Sequence, residues 1–443
     1  MNIDWNHSTR EQEHPVTGDV NFPQRAFMFD RLHVATLLDG LVCVCEPADL
    51  EIANVWYVPS RFLYAIYRIK THQGERLVTI HYLPPGQSAT AWDEARSRAA
   101  DPKAVHHLPQ DSAVVLDFPE DPQQPAIRRM TDEAYVARMI DGATGGSCDT
   151  GAFRWSMLSY LPGDRCALLQ QFGHGTDRYV AKLQKDQAGR THARMRALWQ
   201  APGRRFGMPE PVACDGVAAI RWERFVVGQR FEAKSGQELE PMLRAVCRGL
   251  VQLHCSKLDD LRFQRLADVL ARVQGKVLKR IADALPHLGP RSAAFAVSLH
   301  HAAARMPQRP LLPIHGDFHS ANILSRGESV HFIDLDSLSL GDPALDLALL
   351  GTRMVLEALV ADRDVVPVAA AVSKLPALYA EAGGEPVPES VFAWYVAAML
   401  VARQLRTCIR HLAPGLPRIA PVLLDAAVAT LARGRLDTAD FAG

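Results

Sequence analysis

The chain reads Ile314-His315-Gly316-Asp317-Phe318-His319-Ser320-Ala321-Asn322-Ile323-Leu324 and, shortly afterwards, Phe332-Ile333-Asp334-Leu335-Asp336; these two segments decide its fold. An aspartate, an asparagine five positions later and an aspartate twelve beyond that lie between apolar runs. Phosphoryl transfer from a metal-bound nucleotide needs these groups, because one carboxylate orients the acceptor hydroxyl while an amide oxygen and a second carboxylate hold Mg²⁺. The pattern therefore predicts a phosphoryl-transfer site on a loop followed by a hairpin.

The spacing assigns a role to each polar residue, since it matches the kinase arrangement H-x-D-x-x-x-x-N followed by a metal-binding aspartate. We predict that Asp317 is the catalytic base, or orients the acceptor, because an alcohol needs somewhere to send its proton. Asn322 and Asp334 are the predicted Mg²⁺ ligands. Asp336 is predicted on the same strand face as Asp334. It either approaches a second metal or the acceptor, or satisfies backbone amides.

A third block, Gly341-Asp342-Pro343-Ala344-Leu345-Asp346-Leu347-Ala348, follows in the same order as in a known family. Residues 150–412 resemble the aminoglycoside phosphotransferase and choline kinase family. This resemblance implies an α+β, bilobal protein-kinase-like fold with a small β-rich lobe and a helical C-lobe. It also implies ATP and Mg²⁺ as cofactors and a small-molecule hydroxyl as acceptor.

The remaining motif residues are predicted to support or flank the site. The resemblance implies that His315 braces the loop with hydrogen bonds and that Asp346 stabilises it. Asp342 precedes a predicted helix, where an aspartate usually caps. His319 lies near the cleft and either packs or lines the acceptor pocket.

Upstream of the motif, three predicted strands (155–160, 165–172 and 178–184) and a helix (189–200) have the order of a kinase small lobe. Lys182, in the third strand, has the position of the lysine that contacts the α- and β-phosphates. Kinases usually pair this lysine with a glutamate on the next helix. Between Lys182 and Glu210 the only acid is Asp186, so this partner is missing from the helix.

Two further segments are predicted to contact the nucleotide. The turn between the first two strands contains Gly163 and Arg165 and is the candidate phosphate-covering loop, although it is not G-x-G-x-x-G. The competing glycine turn, Gly173-His174-Gly175, is interpreted as a plain hairpin. Adenine is expected at a hinge in residues 222–228, where Glu223 and Phe225 lie.

We divide the chain into three parts: residues 1–126 as an extra N-terminal α/β module, 127–228 as the nucleotide lobe, and 229–443 as the helical lobe. Strands are predicted at 41–44, 63–69 and 76–82, and the last two faintly echo the small lobe as a hairpin. Residues 101–126 carry five prolines around one short predicted strand, 113–118, and are predicted to connect the modules.

The acceptor pocket is expected among the C-terminal helices. Residues 352–443 carry nine acidic and nine basic side chains, which disfavours a polycationic acceptor. Arg403, Arg406 and Arg410 recur at helical spacing. They form either a solvated basic face or a site for an anionic acceptor.

Composition restricts the remaining partners. The 443 residues have zero formal net charge, which gives no support to wholesale binding of nucleic acid or an anionic membrane. No apolar run reaches membrane-spanning length. The eight cysteines lack C-x-x-C spacing, and Cys43 and Cys45 are interpreted as core residues. We therefore expect a cytoplasmic protein, of unspecified oligomeric state, with reduced thiols.

Two functions of different classes stay open. The first is an ATP-dependent kinase acting on a hydroxyl of a sugar, amino alcohol or related metabolite. The second is a kinase-like pseudoenzyme that binds nucleotide or acts as a scaffold, which the missing helix glutamate and the unassigned N-terminal module favour. Protein kinase activity is disfavoured because D-F-G and A-P-E segments are absent.

Overall fold

The computed structural model of the protein describes residues 19–42, 46–72, 74–146, 148–173, 177–185, 187–203, 206–231, 239–326 and 329–441. Three sequence predictions lie outside these ranges: the core positions of Cys43 and Cys45, the turn tip at 174–176, and the acid Asp186. The strand predicted over 41–44 is wrong at Leu41 and Val42, which form a turn.

The N-terminal module is built on a five-stranded antiparallel sheet with strand order β1-β2-β3-β5-β4. Its elements are α1 (Arg31–Leu38), β1 (Leu50–Val58), β2 (Phe62–Thr71), β3 (Gly74–Tyr82), α2 (Ser88–Arg98), β4 (Val105–Leu108) and β5 (Ala113–Asp117). The prediction that residues 101–126 form a connector is wrong in part, because β4 and β5 complete this sheet. Only residues 118–126 join the sheet to the next helix.

The second module is the predicted nucleotide lobe, and its β-β-β-α order is confirmed. Its elements are α3 (Ile127–Met130), α4 (Glu133–Thr144), β6 (Arg154–Leu161), β7 (Arg165–Phe172), β8 (Asp177–Gln184), α5 (Ala188–Gln200), β9 (Pro211–Asp215) and β10 (Ile220–Arg224). Its five antiparallel strands have the order β6-β7-β8-β10-β9. The helix α4 packs its apolar face, with Tyr135, Val136 and Ile140, into the same core as Trp222.

The two sheets repeat one topology: three consecutive antiparallel strands, a helix, and two more strands that pair in reverse order. Their first hairpins even close alike, with Val58 opposite Phe62 and Leu161 opposite Arg165. The echo predicted as a single hairpin therefore extends over the whole sheet.

The repeat does not include the predicted phosphate-binding lysine. Counted from the hairpin turns, Lys182, opposite Ala167, corresponds to His81, opposite Tyr64. His81 stacks on the Tyr64 ring with centroids 4.2 Å apart. Burial lowers the pKa of His81 to about 4, so this position is neutral at pH 7.

The C-terminal lobe is mainly helical. Its strands are β11 (Gln229–Arg230), β12 (Arg262–Gln264), β13 (Leu312–Ile314), β14 (Ile323–Arg326), β15 (Ser329–Phe332) and β16 (Ser339–Gly341). Its helices are α6 (Leu239–His254), α7 (Leu266–Arg272), α8 (Leu278–Ala284), α9 (Gly289–Ala303), α10 (Pro343–Val360), α11 (Val366–Ser373), α12 (Leu375–Glu381), α13 (Glu389–Met399), α14 (Arg406–Arg410) and α15 (Leu416–Arg433). π-helical segments precede α8 (Val273–Val277) and α14 (Leu400–Leu405). Two three-stranded sheets, β11-β14-β15 and β12-β16-β13, carry the motif segments.

The centre of this lobe is α10, which is apolar nearly all round and packs on α13. Such a helix has to be buried on most sides, and this one brings the Asp342 and Asp346 end of the helix to the motif loop. In the described part of the chain, the helices are too short or too polar to cross a membrane.

The core position of Leu350 in α10 gives a test of this packing. Leu350 is fully buried, so Leu350→Ala should lower the free energy of unfolding by roughly 2–5 kcal/mol. Chemical denaturation followed by circular dichroism measures the change. Val428→Ala, at a position that is 43% exposed on α15, should change stability little. Equal losses in the two variants would contradict the assignment of α10 as the core helix.

Candidate active site

The motif loop runs from β13 to β14 and is held by Asp346 at the start of α10. The Asp346 carboxylate accepts the backbone N–H of His315 at 2.7 Å and of Gly316 at 2.9 Å. Gly316 has φ +76°, and a side chain there would collide with the Ser337 carbonyl. Asp346 thus fixes the backbone directly before Asp317, which is where the resemblance placed its stabilising role.

Asp346 is itself held by a buried hydrogen-bond chain. Its Oδ2 lies 3.1 Å from His254 Nε2, and His254 Nδ1 lies 2.7 Å from the Tyr379 hydroxyl. The side chains of His254 and Asp346 have no exposed area. His254 therefore has a structural role in holding the motif loop. Sequence offers no signal for it, because Tyr379 is 125 residues away.

His315 and Asp342 make structural contacts at the edges of the loop. His315 Nε2 lies 3.0 Å from the carbonyl oxygen of Ile333, which joins the loop to the segment before Asp334. The Asp342 carboxylate accepts from the Ala344 N–H at 2.9 Å at the N-terminus of α10, as a helix cap does. Its other oxygen lies 3.0 Å from Arg309 Nε.

Asp317 lies between an arginine and a histidine. Arg403 forms an ion pair with its carboxylate, and His319 Nε2 lies 3.9 Å from Oδ1. Burial opposes ionisation of Asp317, but the nearby positive charge, chiefly that of Arg403, outweighs it, so the pKa stays below its ordinary value. Asp317 is therefore a carboxylate at neutral pH, able to accept a hydrogen bond from a hydroxyl.

His319 and Asn322 complete this part of the loop. The Asn322 side-chain amide donates to the Asp317 carbonyl at 3.0 Å and lies 3.3 Å from His319 Nε2. Burial lowers the pKa of His319 to about 3, so the ring is neutral at pH 7. Because the ring is neutral, it presents no positive charge to a phosphate. In the structure it packs beside Asp317.

Asp334 has an unusual backbone and a cationic partner. It adopts the left-handed conformation, with φ +62°, which aspartate tolerates better than most residues. Its Oδ1 lies 2.9 Å from Lys182 Nζ, across 152 residues of sequence. The Lys182 charge lowers the pKa of Asp334 well below its ordinary value, against a smaller opposing effect of partial desolvation. The predicted phosphate lysine and metal aspartate therefore meet.

Asp336 does not extend a strand, and that prediction is wrong. β15 ends at Phe332, and the left-handed turn at Asp334 leads into a short 3₁₀ helix over Leu335–Ser337. The turn brings Asp336 to the nucleotide lobe, where it forms an ion pair with Arg221 and lies 3.5 Å from Lys182 Nζ.

The acid missing from α5 is replaced from strand β10. Glu223 Oε1 lies 3.5 Å from Lys182 Nζ and also pairs with Arg221. Arg221 is opposite Lys182 and Glu223 opposite Val180, which puts Lys182, Arg221 and Glu223 on one face of the sheet. Arg221 was missed by sequence reasoning. The available signal was the alternation Arg221-Trp222-Glu223, which places two charges on the face opposite the buried indole.

Glu223 and Phe225 were predicted to contact adenine, but in the structure both make contacts within the protein. The Glu223 side chain is buried in the ionic cluster, and its backbone belongs to β10. The Phe225 N–H donates to the Arg178 carbonyl at 2.9 Å, and the Arg178 guanidinium lies 4.6 Å from the Phe225 ring centroid. Glu223 is thus better assigned as the partner of Lys182 than as a base contact.

The turn at Gly163 is occupied by the connector from the N-terminal module. The Gly163 N–H donates to Asp121 at 2.8 Å, and the Tyr160 hydroxyl donates to the same carboxylate oxygen at 2.8 Å. The Gln124 side chain donates to the Gly163 and Asp164 carbonyls at 3.2 Å. Because the Gly163 N–H already donates to a carboxylate, the connector holds the turn in place. Arg165 remains exposed beside it.

The oxygen donors near Asp334 fit Mg²⁺. The Asp334 side chain is 43% exposed. The Ile333 N–H bond to the Asn322 carbonyl at 3.0 Å keeps the two predicted ligands adjacent. Among the residues that the structure describes, no group of three or more His, Cys, Asp or Glu side chains is arranged to hold a metal. A carboxylate and an amide oxygen suit a hard cation that keeps its waters and takes few protein ligands.

A separate groove of about 690 Å³ lies between α9, α13 and α15 and contains none of the predicted site residues. The six cysteines that the structure describes form no disulfide, as expected.

Comparison with known proteins supports a family resemblance over part of the chain. Residues 168–364 match the model of the phosphotransferase enzyme family, APH. The match confirms the predicted resemblance, the kinase-like α+β fold and the assignment as a phosphotransferase-type enzyme. The matched segment contains Lys182, Asp317 and Asp334. No curated protein matches the chain significantly.

Solved structures also resemble this chain. A choline/ethanolamine kinase family protein from Mesorhizobium loti is 19% identical, with 71% of this chain and 100% of that chain covered and a TM-score of 0.48. Macrolide 2′-phosphotransferase MphH from Brachybacterium faecium is 16% identical, covering 68% and 98% at a TM-score of 0.42. Choline kinase LicA from Streptococcus pneumoniae is 14% identical, covering 68% and 99% at a TM-score of 0.47.

The pairing of Glu223 with Arg221 can be tested by stability. Glu223→Gln leaves the buried Arg221 with less compensation, and breaking a buried ion pair costs roughly 3–5 kcal/mol. The matched control is Glu210→Gln, which removes a glutamate paired to Arg224 where both side chains are more than 40% exposed. Exposed pairs contribute about 0–1 kcal/mol. Urea unfolding compares the variants, and a similar loss in both would refute the buried cluster.

Proposed function

We propose that the protein transfers the γ-phosphoryl group of ATP, with Mg²⁺, to a hydroxyl group of a small molecule. One observation carries the proposal: Lys182 of the β-rich lobe and Asp334 of the helical lobe are joined at 2.9 Å, with Asp317 on the adjoining loop. A phosphate-binding cation, a metal-binding carboxylate and a second, ionised carboxylate are the groups that phosphoryl transfer requires.

Each residue has a distinct task in this proposal. Lys182 neutralises the nucleotide phosphates, and Glu223 keeps its ammonium in place. Asn322 and Asp334 would hold Mg²⁺, which supplies charge neutralisation at the phosphates when bound. Asp317 orients the acceptor hydroxyl and receives its proton, a task that suits a carboxylate that stays ionised.

The pseudoenzyme alternative loses its main support here. It depended on a lysine without an acidic partner, whereas Lys182 lies 3.5 Å from Glu223. The active enzyme is therefore the function that we put forward, in the cytoplasm as expected from the sequence.

Removing the candidate base tests the proposal directly. Asp317→Asn should lower ATP-dependent phosphorylation of a metabolite panel by 10²-fold or more, because the acceptor proton loses its destination. ATP binding, measured by calorimetry, should change little. Asp362→Asn, at an exposed site on the same lobe, should leave both unchanged. Undiminished phosphorylation by Asp317→Asn would refute the assigned base.

The ion pair of Asp317 with Arg403 predicts a pH effect. Arg403 lowers the pKa of Asp317 against the effect of burial, so Arg403→Gln should raise it. Because the active form is the carboxylate, activity is lost as pH falls through this pKa, and the acid limb of kcat/KM should move to higher pH. Arg418→Gln, which removes an exposed arginine, should leave the limb in place. A limb at the same pH in all three proteins would contradict the coupling.

A further inference from the structure

Beside Asp317 lies a concentration of arginines that the proposed reaction does not use. Arg403 pairs with Asp317, and Arg406 and Arg410 follow it along α14. Helix α8, which carries Arg280, packs against α14, and the π-helical segment after Arg272 packs against the one that contains Arg403. The arginines thus belong to two parts of the helical lobe that pack against each other.

These cations are not balanced by acids. Within the described ranges, Arg272, Arg280, Arg406 and Arg410 form no ion pair with Asp or Glu, whereas Arg403 has Asp317. The Nε–H of Arg406 is buried without a hydrogen-bond acceptor. A buried donor on a charged group without an acceptor is costly, and it requires an explanation such as a ligand that is bound during function.

The arginines repel one another, and this repulsion contributes to lowering their pKa values. Burial, together with the charges of Arg410, Arg403, Arg280 and Arg272, lowers the pKa of Arg406 to about 8. Burial and Arg403 likewise lower the pKa of Arg410 to about 10. Proteins rarely bring arginines together in this way without an anion to pair with, because the arrangement costs stability.

The N-terminal module closes one side of this cluster. The Trp56 ring of β1 lies 5.0 Å from the Arg410 guanidinium and 5.8 Å from that of Arg165, which follows the Gly163 turn. His411 Nδ1 lies 2.8 Å from the Val55 carbonyl, which fixes β1 against the end of α14. The cluster therefore extends from Asp317 toward the turn of the β-rich lobe that precedes Arg165.

We propose that Arg280, Arg403, Arg406 and Arg410, with Arg272 at the rim, bind an anionic group of the acceptor, so that the substrate is a hydroxyl compound that already carries a phosphate or a carboxylate. Guanidinium groups bind both anions through paired, charge-assisted hydrogen bonds. The proposal depends on the proposed function for the role of Asp317, and it excludes polycationic acceptors.

Anion binding tests the cluster without turnover. The full chain, saturated with ADP and Mg²⁺, is titrated with inorganic phosphate in a calorimeter. Arg406→Gln and Arg410→Gln should weaken phosphate binding roughly ten- to hundredfold each. Arg305→Gln removes an exposed arginine from the turn after α9 and should have no effect. Because ADP fills the nucleotide site, phosphate has to bind elsewhere. Phosphate binding that persists in both cluster variants overturns the proposal. A wild type that binds phosphate as an adventitious ion only overturns it as well.

Thermal stability separates a binding role from a structural one. If the arginines are kept for ligand binding, removing one relieves repulsion, and the Tm of Arg406→Gln should rise by several degrees while phosphate binding falls. A structural role predicts the reverse, a lower Tm. A lower Tm with unchanged phosphate binding overturns the proposal.

Turnover then identifies the class of anion. Sugar phosphates, sugar acids, the matching neutral sugars and an aminoglycoside are assayed with ATP and Mg²⁺. We expect phosphorylation of an anionic member, with KM raised at least tenfold by Arg406→Gln. Efficient use of a neutral sugar or the aminoglycoside, with KM unchanged in that variant, overturns the anionic acceptor but supports phosphotransfer. Phosphate binding without turnover of any compound would instead refute the proposed function and leave the anion site supported.

Discussion

The structure depends on a charged contact between the β-rich lobe and the helical lobe. Lys182 and Arg221 lie on one face of the small-lobe sheet and meet Asp334 and Asp336, while Glu223 bridges the two cations. Removing one partner of such a buried group leaves an uncompensated charge, so all members are needed together. The predicted phosphate lysine and metal aspartate belong to this contact. The ion pairs that align the two lobes therefore also assemble the candidate site.

The motif loop has a second, independent support. The buried chain from Tyr379 through His254 to Asp346 fixes the backbone before Asp317 without touching the site where chemistry would occur. A rigid loop keeps a reacting carboxylate in place at no cost during the reaction. The side chain of Asp317 is then adjusted by Arg403, which keeps it ionised. The position of Asp317 is thus set through Asp346, and its charge is set by Arg403.

The N-terminal module has the sheet topology of a nucleotide lobe but a neutral His81 where the lysine would be. Its contacts point to another task. Its connector pins the Gly163 turn through Asp121, and its strand β1 places Trp56 beside Arg410. The module therefore contacts both lobes next to the arginines that we propose as the anion site.

From the sequence alone we predicted the family resemblance, the three-strand lobe and the motif loop. Asp317, Asn322 and Asp334 lie within eighteen positions, and closely spaced motif residues are restricted to one loop and hairpin. Only the tertiary structure decided that Glu223 replaces the helix glutamate, that Asp121 occupies the turn and that Asp336 meets Arg221. These partners are 41 to 115 residues apart, and their meeting depends on strand register and lobe packing, which spacing along the chain does not specify.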